Sequence, residues 1–377
     1  MKPRLMFNSL RLLVLFLSLT SIALASTTWY VDGMNGSDNN DCKSPQTACK
    51  TIGHAISLAS SGDSIMVAPA TYTENLSIGV SLRVIGSGAT TTIIDGGGAN
   101  TVVNISGGVV LLSKVTIRNG HTANGGGGID NNAATLTISN STLSGNSASV
   151  GGGIYNYLGN LTINTSTFSG NSAAYYGGGI HNFGSKLTIN RSTFSGNFAA
   201  FGGGAISNYK GLTINNSTIS GNSAYSGGGI YNVRKRPSAV INNSTLSGNR
   251  AGASGGGGIY GDATTLQNSI VANSHNGNCA GTYTSNGYNL SSDGSCNFNN
   301  IGDLNNTDPK LGKLGKHGGP TQTIPLLSGS PAIDAGNPNG CTDRKGRLLK
   351  TDQRGKPRPD KEDTGGCDMG AYESQSD

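Results

Sequence analysis

The sequence predicts an all-β fold: a right-handed, single-stranded parallel β-helix (a β-solenoid) with an N-terminal helical cap and an irregular C-terminal cap. Three observations predict it. A GGGI-Y-N phrase followed by L-T-I-N-x-S-T-F-S-G-N recurs six times between residues 125 and 273. Ile129, Ile154, Ile180, Ile206, Ile230 and Ile259 open the copies at steps of 25, 26, 26, 24 and 29 residues, and Asn146, Asn171, Asn197, Asn222, Asn249 and Asn273 close them. A period of this size marks one small unit stacked on itself. Within a copy, apolar residues alternate and Gly runs break the chain before a helix can form. Charged residues are only 12% of the chain, and identical charges one rung apart would repel, so a surface of Asn, Ser, Thr and Gly fits stacking.

The elements follow in chain order. Residues 1–25 read as a signal peptide: Lys2, Arg4 and Arg11 precede an apolar run from Leu12, and Ala23-Leu24-Ala25 is a small-x-small cleavage site. The run is short for a membrane span, and no second such stretch follows. The mature chain is therefore expected outside the cytoplasm, secreted or at the cell surface, without a transmembrane segment. Residues 26–300 read as the β-helix and 301–377 as a capping module. Residues 48–59 carry helical apolar spacing at Ile52, Ala55, Ile56 and Ala59, which suits a lid over the exposed first rung. Ser64–Val67, Ser81–Ile85 and Thr92–Gly96 read as early, less regular coils.

In each repeat, Leu161-Thr162-Ile163 and its equivalents turn their apolar residues one way and Thr the other. A larger apolar position follows (Leu143, Phe168, Phe194, Ile219, Leu246), then a small one (Ala148, Ala173, Ala199, Ala224, Ala251). Two or three short strands per turn are expected, with like residues stacked. Asn131, Asn156, Asn182, Asn208 and Asn232 share one phase, where stacked amides can bond from rung to rung. The N-x-S/T triplets at Asn140, Asn160 and Asn216 read as turn formers rather than glycan acceptors.

Six cysteines in an exported chain point to disulfides. Sequence does not fix their connectivity. Pairing of neighbours is the favoured reading: Cys42 with Cys49, Cys279 with Cys296, Cys341 with Cys367.

Three of the six net positive charges sit in the leader, leaving +3, and no basic stripe stands out; nucleic acid is excluded as a partner. Enzymatic chemistry has little to work with. Glycoside hydrolysis needs two carboxyl groups roughly 5 to 9.5 Å apart. Between residues 96 and 292 the acids are Asp130 and Asp262, about five coils apart. Asp95 and Asp130 are the pair that could lie within one or two rungs. Asp32, Asp38 and Asp41 crowd one loop and are the candidates for calcium, the one cofactor worth testing. Aromatic residues gather around the Gly runs: Tyr155, Tyr157, His181, Phe183, Tyr209, Tyr231 and Tyr260, with Tyr175, Tyr176, Phe198, Phe201 and Tyr225 nearby. Stacking should collect them into a strip suited to sugar rings or a protein partner.

The opening TWYVDGMNGSDNNDC and CKTIGHAISLASSGDSIMVAPATYTENLSI resemble the start of bacterial right-handed β-helix proteins of the pectate-lyase-like fold. Gly203-Gly204-Ala205-Ile206 with Phe168-Ser169-Gly170-Asn171 resembles the GGxI and FxxN repeats of polymorphic outer-membrane proteins. HGGPTQTIPLLSGSPAIDAG at 317–336, then TDQRGKPRP and CDMGAYE, is similar to the choice-of-anchor Q module of β-helix surface proteins. The expectation departs from that resemblance in one respect: neither an autotransporter barrel nor a sorting signal is read after Glu373. The resemblance implies a cell-surface protein. The functional expectation is a non-catalytic, adhesin-like binder of polysaccharide or of a cell-surface protein. The alternative is a polysaccharide-active lyase, hydrolase or epimerase using Asp95 and Asp130.

Overall fold

The computed structural model describes residues 26–184, 186–233, 239–253, 255–343, 345–361 and 366–375; the leader lies outside them. The chain winds as a parallel β-helix. One complete turn consists of Ile154–Tyr157, Asn160–Asn164, Thr167–Ser169 and Ser172–Tyr176. Each strand pairs in parallel with its equivalent one turn on, giving sheets of 9, 11, 10 and 5 strands. The middle turns thus carry four strands rather than two or three, because the Ser-Ala segment before each Gly run also pairs. We call the four the Ile, Leu, Thr and Ser-Ala sheets, after their repeating residues.

The register stacks like on like. Ile129, Ile154, Ile180, Ile206, Ile230 and Ile259 form one fully buried column, which ends on Cys279. Leu136, Leu161, Leu187 and Leu212 form a second. Phe168 and Phe194 stack inside the Thr sheet at 4.6 Å. Burying such a side chain contributes about 1.5–3 kcal/mol, so every turn adds its own share of one continuous core. The Gly runs are steric requirements: Gly177 has φ +69°, and a Cβ there would meet the Ile180 carbonyl at 2.3 Å.

Two amide ladders run inside this core. Asn131, Asn156, Asn182, Asn208 and Asn232 pass Nδ2–H to the next Oδ1 at 2.6, 2.7, 2.8 and 2.8 Å, and all five are fully buried. Asn146, Asn171, Asn197, Asn222 and Asn249 form the second, at 3.0, 2.9, 2.8 and 2.9 Å. Asn273 does not continue it. With φ +55° it occupies the left-handed place that Gly248 holds one turn earlier, and it is exposed. Asn140 and Asn216 also adopt positive φ, at the corner between the Leu and Thr sheets, which fits their reading as turn formers, whereas Asn160 opens a strand of the Leu sheet.

The lid is the helix Ile52–Leu58, shorter than the 48–59 its spacing predicts. The Thr51 hydroxyl accepts from His54 N–H, and the Glu74 carboxylate accepts from Ile52 and Gly53 N–H at 2.9 and 2.8 Å. Ile52 and Ala55 are its buried residues. The predicted disulfides Cys42–Cys49, Cys279–Cys296 and Cys341–Cys367 are all present. Such bonds are the mark of an oxidising, extracytoplasmic compartment. No helix among the described residues is long and apolar enough to cross a membrane.

At the far end, Cys279, Cys296 and Phe298 join the core. The rest of the C-terminal segment then doubles back along the flank, on the outward face of the Thr sheet. There the Thr193 hydroxyl donates to the Gln322 carbonyl, Thr218 donates to Gln353 Oε1, and Ala371 N–H donates to Thr245 Oγ1. Thr167 and Thr142, one and two rungs before Thr193, remain partly exposed. The two halves of the tail motif hold each other. Arg358 meets Glu373 at 2.5 Å with both side chains fully buried, Arg354 meets Asp352 at 2.7 Å, and Arg354 lies 3.5 Å over the ring of Tyr372. The TDQRGKPRP and CDMGAYE segments are therefore a structural clasp.

Candidate functional site

The site is built from the outward positions of the Ile sheet. In each strand Ile and Asn point inward, so the residues after each of them point out. Register places Asp130, Tyr155, His181, Ser207, Tyr231 and Tyr260 in one outward column, and Tyr157 beside Phe183 in a second.

The rings form one connected strip. Tyr155 stacks on His181 at 5.6 Å, Tyr157 on Phe183 at 6.0 Å and Tyr231 on Tyr260 at 5.3 Å. Tyr209 packs against His181 at 5.3 Å and Phe183 at 5.6 Å. Ser207 would break the first column, because it has no ring. Tyr176 enters from the Ser-Ala sheet and bridges the gap, 6.1 Å from His181 and 5.7 Å from Tyr231. It also carries the strip on to Phe201, which stacks on Tyr175. Centroid spacings of 5.3–6.0 Å between near-parallel rings mean offset stacking. Each ring covers only part of its neighbour. Gly202 makes this possible: a Cβ there would press on Tyr231 Cγ at 2.8 Å.

All seven expected binding residues (Tyr155, Tyr157, His181, Phe183, Tyr209, Tyr231 and Tyr260) thus belong to one surface. Their exposure differs. Tyr157, Phe183, Tyr175 and Phe201 are 36, 37, 50 and 49% exposed, whereas His181 is buried at 6%. Tyr157, Phe183, Tyr175 and Phe201 therefore present the strip to solvent, while His181 is buried among the rings. Burial pushes the His181 imidazole down to about 4 and the Tyr231 phenol up to about 12. Sequence reasoning noticed Tyr176 but not its bridging role. The available signal was the step of 26 residues, whose extra residue produces the register shift that pairs Val150 with Tyr176.

The proposed carboxylate pair is not assembled. Asp95 ends a strand of the Thr sheet, and Asp130 lies on the Ile sheet. Asp95 is also committed. It accepts from Arg118 Nε at 2.7 Å, Asn119 Nδ2 at 2.9 Å and Gly97 N–H at 2.9 Å. Burial by itself would raise its carboxyl, but these donors hold it below the usual range. Asp130 is raised by burial and stands beside Tyr155. The two carboxylates thus stand on different sheets of the β-helix.

The calcium candidates also fail to converge. Asp32 accepts from the N–H groups of Met34 and Asn35, Asp38 from those of Lys50 and Thr51, and Asp41 from Lys43 N–H and the Thr47 hydroxyl. Each carboxylate is held by its own set of protein donors. Among the described residues the one close group of potential metal ligands is Cys42, Cys49 and His54, and its two sulfurs are joined in a disulfide.

No family model matches this chain, and no curated protein matches it. Among solved structures, the GH136 lacto-N-biosidase from Eubacterium ramulus aligns with a TM-score of 0.36 at 11% identity, over 70% of this chain and 56% of that one. The chain thus spans little more than half of that protein's length, and a likeness at this level carries no argument about activity.

Proposed function

We propose that this chain is an exported binding protein, secreted or held at the cell surface, whose aromatic strip takes polysaccharide in an adhesin-like manner. One observation carries the reading: Tyr157, Phe183, Tyr175 and Phe201 are each more than a third exposed on one continuous ring surface. Contiguous exposed aromatic surface marks interaction sites, and sugar rings present C–H faces that suit aromatic faces. Neighbouring rungs repeat the same contact about 4.8 Å further on, so a polymer can engage several weak sites in series. The three disulfides and the resemblance to β-helix surface proteins agree with this address. Asp95 and Asp130 lie on separate faces, which favours binding over cleavage.

The test uses the purified chain against neutral polysaccharides and host-type glycans, read both for retention and for released reducing or unsaturated ends. The triple variant Tyr157→Ala, Phe183→Ala, Tyr175→Ala should lose retention about tenfold or more, as expected when stacking contacts worth about 0.5–1.5 kcal/mol each are removed. Retention unchanged in that variant, or cleavage abolished by Asp130→Ala, would overturn the reading.

A further inference from the structure

The C-terminal clasp creates a second surface that the repeats alone do not have. Asp343, Lys345 and residues 347–351 stand off the outward face of the Leu sheet and line a groove of about 730 Å³. Both ends of this wall are pinned. The Thr342 carbonyl accepts from Asn243 Nδ2 at 2.9 Å, and the Thr351 carbonyl accepts from Asn216 Nδ2 at 2.8 Å. The Cys341–Cys367 disulfide fixes the segment where it enters. The groove is therefore preformed.

Its charge is one-sided. Lys186 and Arg191 line it from the β-helix, and Lys345, Arg347 and Lys350 line it from the tail. Its one acid, Asp343, is already saturated. It takes Arg347 Nε at 2.9 Å and Nη2 at 2.6 Å, together with the N–H groups of Lys345 and Arg347. Among the described residues, Lys186, Arg191, Lys345 and Lys350 have no carboxylate within ion-pair distance, and all four are exposed. In a chain with so few charges, four uncompensated cations facing one channel repel each other until an anion enters.

The floor adds hydrogen-bond donors at a regular spacing. Asn190 Nδ2 donates to Asn164 Oδ1 and Asn215 Nδ2 to Asn190 Oδ1, both at 2.9 Å. A primary amide has two N–H groups, so one on each remains for a ligand. Thr188 and Thr213 lie alongside. These groups repeat at the rung spacing of about 4.8 Å, close to the rise of one sugar in an extended glycan. The lining holds no aromatic residue on which a nucleobase could stack.

We infer that this groove is a binding site for an anionic polysaccharide, with the cations on its acid groups and the Asn and Thr floor on its hydroxyls. The inference is independent of the aromatic strip. The test measures binding of the purified chain to polygalacturonate at low and high salt, with dextran and duplex DNA as comparison polymers. The variant Lys186→Gln, Arg191→Gln, Lys345→Gln, Lys350→Gln should bind polygalacturonate about tenfold more weakly, the sum of four exposed charge contacts. Lys43→Gln, Lys50→Gln, Lys313→Gln, Lys316→Gln removes the same charge elsewhere and should change binding less than about twofold if the site is local. Binding in the parent should fall with salt, and Tyr157→Ala with Phe183→Ala should leave it unchanged. Equal losses in the two lysine and arginine sets would overturn the inference. So would tighter binding of DNA than of polygalacturonate, or no binding of polygalacturonate at all.

Discussion

Asn197 tests whether the inner amide ladder holds the helix together or merely decorates it. Its Oδ1 accepts from both the backbone N–H and the Nδ2 of Asn171, at 3.1 and 2.9 Å. Its own Nδ2 donates to the Phe168 carbonyl at 3.0 Å and to Asn222 Oδ1 at 2.8 Å. Asn197→Ala strands two buried donors, the Asn171 N–H and one Asn171 amide proton, and removes one donor from the Phe168 carbonyl. Asn222 Oδ1 keeps the backbone N–H of residue 197. At about 1–3 kcal/mol per stranded group, with some relief from water entering the vacated space, the cost is about 4 kcal/mol. The matched control is Asn190→Ala, in the ladder on the outer surface, where water replaces the lost partners and the cost stays below about 1 kcal/mol. Stacked turns open locally, so the assay is amide hydrogen exchange on peptides covering residues 168–222, with residues 64–95 as internal reference. A change of about 4 kcal/mol speeds exchange about a thousandfold in the opened turns and leaves the reference unchanged. If Asn197→Ala exchanges no faster than Asn190→Ala, the ladder is not a source of stability and the reasoning fails.

Other expectations follow from the same geometry. His181 is held near pKa 4 against an ordinary 6.5, so the unfolded chain takes up its proton first. Stability from this residue is present above pH 6.5 and lost as pH falls through about 4, up to about 3 kcal/mol; His181→Phe should remove that dependence in denaturation series across this range. Gly202→Ala should displace the Tyr231 ring and quench the ring-current shifts that Tyr176 and Tyr231 impose on each other, seen by NMR, while the Ile column stays protected. Arg358→Met leaves the buried Glu373 carboxylate uncompensated and should cost about 3–5 kcal/mol, releasing the tail to proteolysis, whereas Arg358→Met with Glu373→Leu should restore resistance.

Much of this protein is legible one turn at a time. A residue in a parallel β-helix meets its equivalents some 25 positions away, so a column in the alignment of repeats is a column in space. That is why Ile129 to Ile259, both inner Asn ladders and the Asp130-to-Tyr260 outward column could be written down from the repeats. Asn273 shows the limit of counting: a one-residue change in the turn moves it from the ladder position to the left-handed place before it. Asp95 and Asp130 show another, since a separation of 35 residues says how many turns lie between two acids but not which sheet each one occupies.

What the repeats determined by themselves is the core, because identical side chains at a fixed period can be buried together only by stacking. What only the tertiary structure decided is everything outside that period. Tyr176 fills the gap above Ser207, and Gln353 reaches Ser192 across 161 positions. The tail lies against the flank instead of simply ending the coil, and scattered cations meet across one groove. Such contacts depend on the shapes of two surfaces brought together by a chain that turns back, and no spacing along the sequence encodes that meeting.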